Sequence, residues 1–327
     1  MGGATHRAGG TIYVLLAATL WGTTGTAAAL APGVGPLAVG AAAMGIGGLL
    51  QGLIAVRPMA AHIRELRRQR VMILLGAAAI AIYPLAFYSS MRLAGVTVGT
   101  VVSIGLAPVI AAVIERIADR RPLSRRWLVS TGISLLGICA LTVAHATDVA
   151  GPGDLGDTAP VSGWRPLLGL GLAVLAAGTY ALYSWVAATL MLRGLPARAA
   201  MGALFGLGGL LLLPVVIIAG APILATPGNL AAVAYLAVVP MFLGYVLFGR
   251  GLAAVSASTA TTLSLWEPVV AAFLAVLVLR EQLPALGWIG VALVLIGLAV
   301  LTVRRPTTPA EPPSASSDST RSASIQK

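Results

Sequence analysis

The sequence predicts an all-α integral membrane protein of ten transmembrane helices, arranged as two five-helix inverted repeats. Three observations carry that expectation. Of the 327 residues, 58% are hydrophobic and 9% charged, against about 25% charged in a soluble domain. Apolar runs of bilayer length follow one another along nearly the whole chain. The second half also repeats features of the first at a nearly constant offset.

The first apolar run, roughly 11–31, is about 20 residues long, a full bilayer span. His6 and Arg7 precede it, and Ala27-Ala-Ala-Leu-Ala31 loosely resembles a cleavage site. Its length and the spans that follow favour an uncleaved first helix. The second run, 36–56, opens on Pro36 and stops at Arg57. The third, 71–91, contains Tyr83-Pro84, and the fourth, 94–114, contains Pro108. The fifth, 127–145, carries the single cysteine, Cys139, which has no disulfide or metal-ligand company and reads as helix packing. The sixth, 166–190, carries Tyr180 and Tyr183, and the seventh is 199–219. The eighth, 229–249, ends before Arg250, the ninth, 253–279, encloses Glu267, and the tenth is 286–303. None alternates polar and apolar residues as a membrane barrel strand does. Gly48-x-x-x-Gly52, Gly95-x-x-x-Gly99 and Gly202-x-x-x-Gly206 suit close helix contacts within the bundle and leave the oligomeric state open. The tail, 304–327, has the Pro, Ser and Thr content of a disordered segment.

The net charge of +11 sits in short clusters between apolar runs, without interleaved aromatics. That pattern fits orientation signals at a lipid surface and not a nucleic-acid partner. With the N-terminus inside, all but Arg92, Arg165 and Arg280 of the 21 basic residues fall on the inner side. Both termini are therefore expected in the cytoplasm, with the chain in the cytoplasmic (inner) membrane. The expected organisation is a cytoplasmic N-terminus at 1–10, a first repeat at 11–147, an outer loop at 148–165, a second repeat at 166–303 and a cytoplasmic tail. Asp148, Asp154 and Asp157 read as a solvated acidic loop, and no metal site is expected.

Adding 160 takes Pro108-Val109 to Pro268-Val269, Gly137 to Gly297 and Leu141-Thr-Val143 to Leu301-Thr-Val303. Near the start of each half the offset is 159, and Trp21 falls on Tyr180. With five spans per half, the second copy enters the membrane from the opposite side, the plan of many secondary transporters.

Leu20-Trp-Gly22, and above all Glu267-Pro-Val-Val-Ala-Ala272 leading to Leu279-Arg-Glu-Gln-Leu283, resemble the EamA branch of the drug/metabolite transporter superfamily. The resemblance spans about 11–303. It implies a ten-helix transporter of small compounds, with export as the expected direction. The chain departs from the family pattern where Arg280 replaces a usual glycine. It also breaks its own symmetry: Ala107 stands opposite Glu267, and Arg121 opposite Glu281.

Glu267 is the one acidic residue placed deep in a predicted span. A carboxylate there costs roughly 2.5–3.5 kcal/mol on insertion scales and marks a functional candidate. No Lys, Arg or His is placed deep in any span to pair with it. Three readings stand: a proton carrier, a partner for a substrate amine, or a hydrogen-bonded packing group. On an unbroken helix Ser256 and Ser264 lie about 20° and 60° from it. Pro268 is expected to kink the helix and free the Ser264 carbonyl, and Pro108 to do likewise near Thr100 and Ser103. Trp21, Tyr83, Tyr180 and Trp266 are the candidate aromatic lining. A small-molecule substrate and lipid are the expected partners, and protons a candidate coupling ion. No cofactor is expected. His6, His62 and His145 form no zinc motif and no Gly-x-x-x-x-Gly-Lys loop is present, so enzyme and ATP-driven classes are disfavoured. The alternative is a membrane receptor or assembly subunit without transport activity.

Overall fold

A computed structural model describes residues 2–120, 122–149, 164–278, 280 and 282–303. Most of the expected outer loop, the tail at 304–327, Arg121, Leu279 and Glu281 lie outside the described residues. Among the described residues, ten helices are long and apolar enough to cross a membrane. In the first half these are α1 (Ala8–Ala29), α2 (Pro36–Ile54), α3 (Arg70–Ala94), α4 (Val98–Ala118) and α5 (Arg125–Ala144). In the second half they are α6 (Arg165–Leu192), α7 (Ala197–Ala219), α8 (Pro227–Leu252), α9 (Ala257–Val278) and α10 (Ala285–Thr302). Short helices at Val56–Ala61 and Ile63–Arg68 join α2 to α3. Large apolar side chains face outward along the spans, as with Ile218 at 84% exposure. Only a lipid surround makes that arrangement favourable.

Glycines set the helix spacing. A side chain on Gly52 would lie 3.1 Å from the Gly206 Cα, and one on Gly209 2.6 Å from the Gly45 carbonyl oxygen. The two glycine motifs of α2 and α7 therefore mate with each other, backbone to backbone. On α5 and α10, Gly137 and Gly290 each stand where a side chain would meet the other's carbonyl at 2.7 Å. Gly297 likewise faces the Ser130 carbonyl, and the Ser130 hydroxyl donates to the Gly297 carbonyl at 2.7 Å. Offset by 160, Gly137 and Gly290 become Gly297 and Ser130, so the two contacts exchange. In both helix pairs rising numbers meet falling ones, so each pair is antiparallel. In the same way α3 packs on α6 as α8 packs on α1, and α4 on α6 as α9 on α1. This is the arrangement an in-plane two-fold axis produces.

The α2–α3, α4–α5, α6–α7 and α8–α9 connections share one end of the bundle, here called the basic end. Arg57, Arg64, Arg67, Arg68, Arg116, Arg193, Arg198 and Arg250 gather there. Polar ties close it: Arg193 Nη1 donates to Gln69 Oε1 at 2.6 Å, and the Trp185 indole to Asp119 Oδ2 at 3.1 Å.

Three spans are irregular at mid-length. α1 turns at Gly22–Thr23, α9 turns at Ser264–Leu265, and α8 widens into a π-helix over Ala237–Gly244 around Pro240. Gly22 explains how the first two meet. A side chain there would lie 2.6 Å from the Val270 Cβ and 2.9 Å from the Glu267 carbonyl oxygen. Such inserted turns recur at functional sites because they free backbone groups and redirect side chains.

Candidate functional site

A cavity of about 680 Å³ runs from the mid-membrane irregularities to the end opposite the basic one. Its floor carries Glu267, Pro268, Trp21, Tyr180, Tyr245 and Tyr83. Its walls include Phe87, Tyr88, Thr100 and Ala275. Arg92, Gln282 and Pro284 stand toward the mouth. Among the described lining residues Glu267 is the only carboxylate.

The break in α9 places that carboxylate. The first half, Ala257–Leu263, ends in two tightened turns: the Leu265 N–H donates to the Thr262 carbonyl at 3.1 Å and the Glu267 N–H to that of Ser264 at 2.9 Å. The second half starts at Trp266. Pro268 thus lies in a first turn, where its missing N–H leaves no bond unmade. The Ser264 carbonyl, which Pro268 would free in an unbroken helix, is occupied by Glu267 N–H. Glu267 now sits in the first turn of a helix, the end at which a negative charge is favoured. In α4 the helix continues through Pro108 without a break. The two prolines match in sequence and differ in what they do.

Aromatic rings frame the carboxylate. Trp21 lies 4.8 Å from Tyr245 and 6.4 Å from Tyr180 between ring centroids, and Tyr180 lies 5.7 Å from Tyr83. Trp21, Tyr180 and Tyr245 are each held by a polar tie. The Trp21 indole donates to the Pro240 carbonyl at 3.0 Å, made available where α8 widens. Tyr180 donates to Ser264 Oγ at 2.8 Å, and Tyr183 and Tyr245 share a hydroxyl contact at 2.9 Å. Gly244 leaves the room Trp21 needs: a side chain there would lie 2.7 Å from the indole nitrogen. The arrangement can hold an aromatic or cationic group between rings, with one acceptor at its base.

Of the residues singled out from sequence, Glu267, Trp21, Tyr83, Tyr180, Thr100 and Pro268 line the cavity. The Thr100 hydroxyl has no hydrogen-bond partner there. Ser264 stands behind the wall, holding Tyr180. Ser103 bonds across to the Ala173 carbonyl of α6 at 3.3 Å, and the Trp266 indole ties α9 to Thr19 of α1 at 2.9 Å. Ser256 is remote. It caps α9 at the basic end, its hydroxyl accepting from the Thr259 N–H at 3.2 Å. The shared helical angle placed it beside Glu267 in projection, but eleven residues of rise separate the two by roughly 16 Å.

Sequence reasoning did not reach Tyr245 or Glu115. Tyr245 could have been marked as a phenol deep in an apolar span. Glu115 stands just past the predicted fourth span, 94–114, where an acid reads as a solvated helix end. It is instead 5% exposed, and its carboxylate accepts from Ser258 Oγ at 2.5 Å and Ser258 N–H at 3.3 Å. Beside it Thr262 Oγ1 meets the Trp127 indole at 3.1 Å and the Thr131 hydroxyl at 3.2 Å. These contacts seal α4 and α5 against α9 below the cavity floor.

The EamA-like transporter family matches the chain twice, at residues 8–143 and again at 167–303. The chain belongs to the EamA-like transporter family. Among its relatives, the uncharacterized transporter YwfM of Bacillus subtilis (strain 168) is 33% identical over 293 residues, covering 89% of this chain and 93% of that one. An uncharacterized transporter of Clostridium kluyveri is 29% identical over 140 residues, 42% of this chain and 44% of its own. A crystal structure of another protein superposes with a TM-score of 0.72 at 20% identity, over 90% of this chain and 97% of that chain. That last likeness shows the fold. This EamA-like chain is thus a multi-pass membrane transporter, and the cavity is its candidate substrate site.

Proposed function

We propose that the protein is a secondary active transporter of the cytoplasmic membrane that exports a small metabolite, amino acid or drug-like compound by alternating access. The observation that carries the reading is the cavity: one carboxylate, ringed by aromatics, open toward one end and sealed toward the other. Its volume of about 680 Å³ lies in the range of small-molecule sites. With the basic end in the cytoplasm, the cavity faces outward, and Glu267 lies where a proton or substrate amine arriving from outside meets a dead end. Glu267 has no ion-pair partner among the described residues, which leaves it free for either. The seal of Glu115, Ser258 and Thr262 is the inner gate in this reading.

Flux in proteoliposomes tests it. Purified protein is reconstituted with an inside–outside pH gradient and screened against amines, amino acids and cationic dyes. Saturable, gradient-driven accumulation of at least one compound is the expected result. Folded protein that moves none of them across a broad panel overturns the reading.

A further inference from the structure

A second, small cavity lies at the basic end, far from the first. It holds about 40 Å³ and is lined by residues of three helices, among them Gln51 of α2, Arg198 of α7 and Arg250 of α8. Its two charged side chains are donors only, and Gln51 adds an amide with a donor nitrogen and an acceptor oxygen. The Gln51 side chain is 2% exposed, and its amide nitrogen has no hydrogen-bond partner. A buried N–H without an acceptor is costly, so an acceptor from outside the chain is called for. Arg198 and Arg250 are exposed, and among the described residues neither forms an ion pair. Arg250 lies 5.9 Å over the Tyr13 ring, which fixes its direction without neutralising it. Two guanidinium groups without an ion pair and the buried Gln51 amide line a space that fits the non-bridging oxygens of one phosphate.

Where the space lies decides which phosphate. Gln51 is three residues from the end of α2, Arg198 the second residue of α7, and Arg250 two residues from the end of α8. That is headgroup depth on the bundle's perimeter. Ile54, also in the lining, is 42% exposed, and its neighbour Leu53 is 68% exposed. Both offer apolar surface for an acyl chain directly beside the phosphate position. We propose that this pocket is a binding site for the phosphate of an anionic phospholipid, clamping α2, α7 and α8 together. Offset by 160, Gln51 becomes Leu211. Arg198 and Arg250 become Ala38 and Ser90, so the site, shared by both halves, has no counterpart at the other end of the bundle.

Thermal unfolding of the delipidated full chain tests the assignment. Phosphatidylglycerol is added against an equal amount of phosphatidylcholine, with inorganic phosphate as a third arm at matched ionic strength. The expected result is a rise of about 2 °C or more with phosphatidylglycerol alone. The double variant Arg198→Gln/Arg250→Gln, altered at exposed positions, loses that rise. Arg64→Gln/Arg67→Gln, which removes the same charge from the same end, keeps it. Native mass spectrometry should show one fewer tightly held phosphatidylglycerol on the first variant only. Equal loss in both variants means diffuse attraction and overturns the site. An equal response to phosphatidylcholine overturns it too. A response reproduced by inorganic phosphate overturns the lipid assignment.

Discussion

At the scale of single residues, Glu267 combines three properties that rarely coincide: mid-membrane depth, access to a cavity, and a position in the first turn of a helix. A packing role needs only the first. A carboxylate that serves packing is expected to bond a hydroxyl or backbone donor. Here the nearby hydroxyls of Ser264 and Tyr180 bond each other instead. Glu267→Gln keeps the size and removes the titratable group. If Glu267 carries the coupling proton, uphill transport driven by a pH gradient should fall roughly tenfold or more. Exchange of substrate for substrate should survive. Proteoliposome flux with and without a gradient separates the two, and unchanged uphill transport refutes the proton role. Tyr180→Phe addresses the ring beside it. Ser264 still donates to the Thr261 carbonyl at 2.8 Å, so only the phenol's bond is lost. Stability should fall by about 1 kcal/mol, read by thermal unfolding, while a ring contact to substrate persists.

At the scale of elements, α4 and α9 are counterparts that have diverged. They share one strained feature. Arg120 and Arg280 have φ of 53° and 57° just past their helices, and they stand 160 positions apart. The left-handed region disfavours a side chain by roughly 1–2 kcal/mol, and glycine relieves it. This gives a physical reason for the glycine the family usually has where this chain has Arg280. Arg120→Gly and Arg280→Gly should each raise stability by about 1 kcal/mol, measured by thermal unfolding, with no change in transport. How much was legible beforehand divides along the same line. The ten spans could be read because apolar length and loop charge are local properties. The partnership of the glycine motifs in α2 and α7 could be read as close packing, though not as a match with each other. The break at Ser264 could not be read, because Pro268 is equally compatible with a kinked helix and a restarted one. What separates them is tertiary: α9 approaches α1 so closely that a side chain on Gly22, more than two hundred residues away, would lie 2.9 Å from the Glu267 carbonyl oxygen. Glu115 was illegible for a similar reason. Its burial depends on Ser258 arriving from α9, and nothing in its own neighbourhood announces that.

For the whole molecule, the repeat makes a quantitative claim about motion. Offset by 160, Glu115 becomes Ala275 and Ser258 becomes Val98. The pair that seals the basic end therefore has a counterpart at the other end. There Ala275 lines the open cavity and Val98 is 41% exposed. If the two halves exchange conformations, closing the mouth brings Val98 of α4 against Ala275 of α9, while Glu115 and Ser258 part. The sealed end carries a charge-assisted hydrogen bond and the open end none. Bonds of that type contribute roughly 1.5–3 kcal/mol, so the resting balance should favour the state open at the mouth. Paired cysteines test both halves of the claim, after Cys139, the chain's own cysteine, is replaced. A Glu115→Cys/Ser258→Cys pair, which itself lacks that bond, should still cross-link whenever the basic end is sealed and trap the protein open at the mouth. A Val98→Cys/Ala275→Cys pair should link slowly at rest and faster when substrate is supplied from the basic end. Adding Glu115→Ala to the second pair should speed its linking about tenfold or more, because removing that bond frees the closed-mouth state. Either cross-link should stop transport, and reduction should restore it. A Val98→Cys/Ala275→Cys pair that links no faster with substrate at the basic end, and no faster with Glu115→Ala, would mean that the two ends move independently and the halves do not exchange.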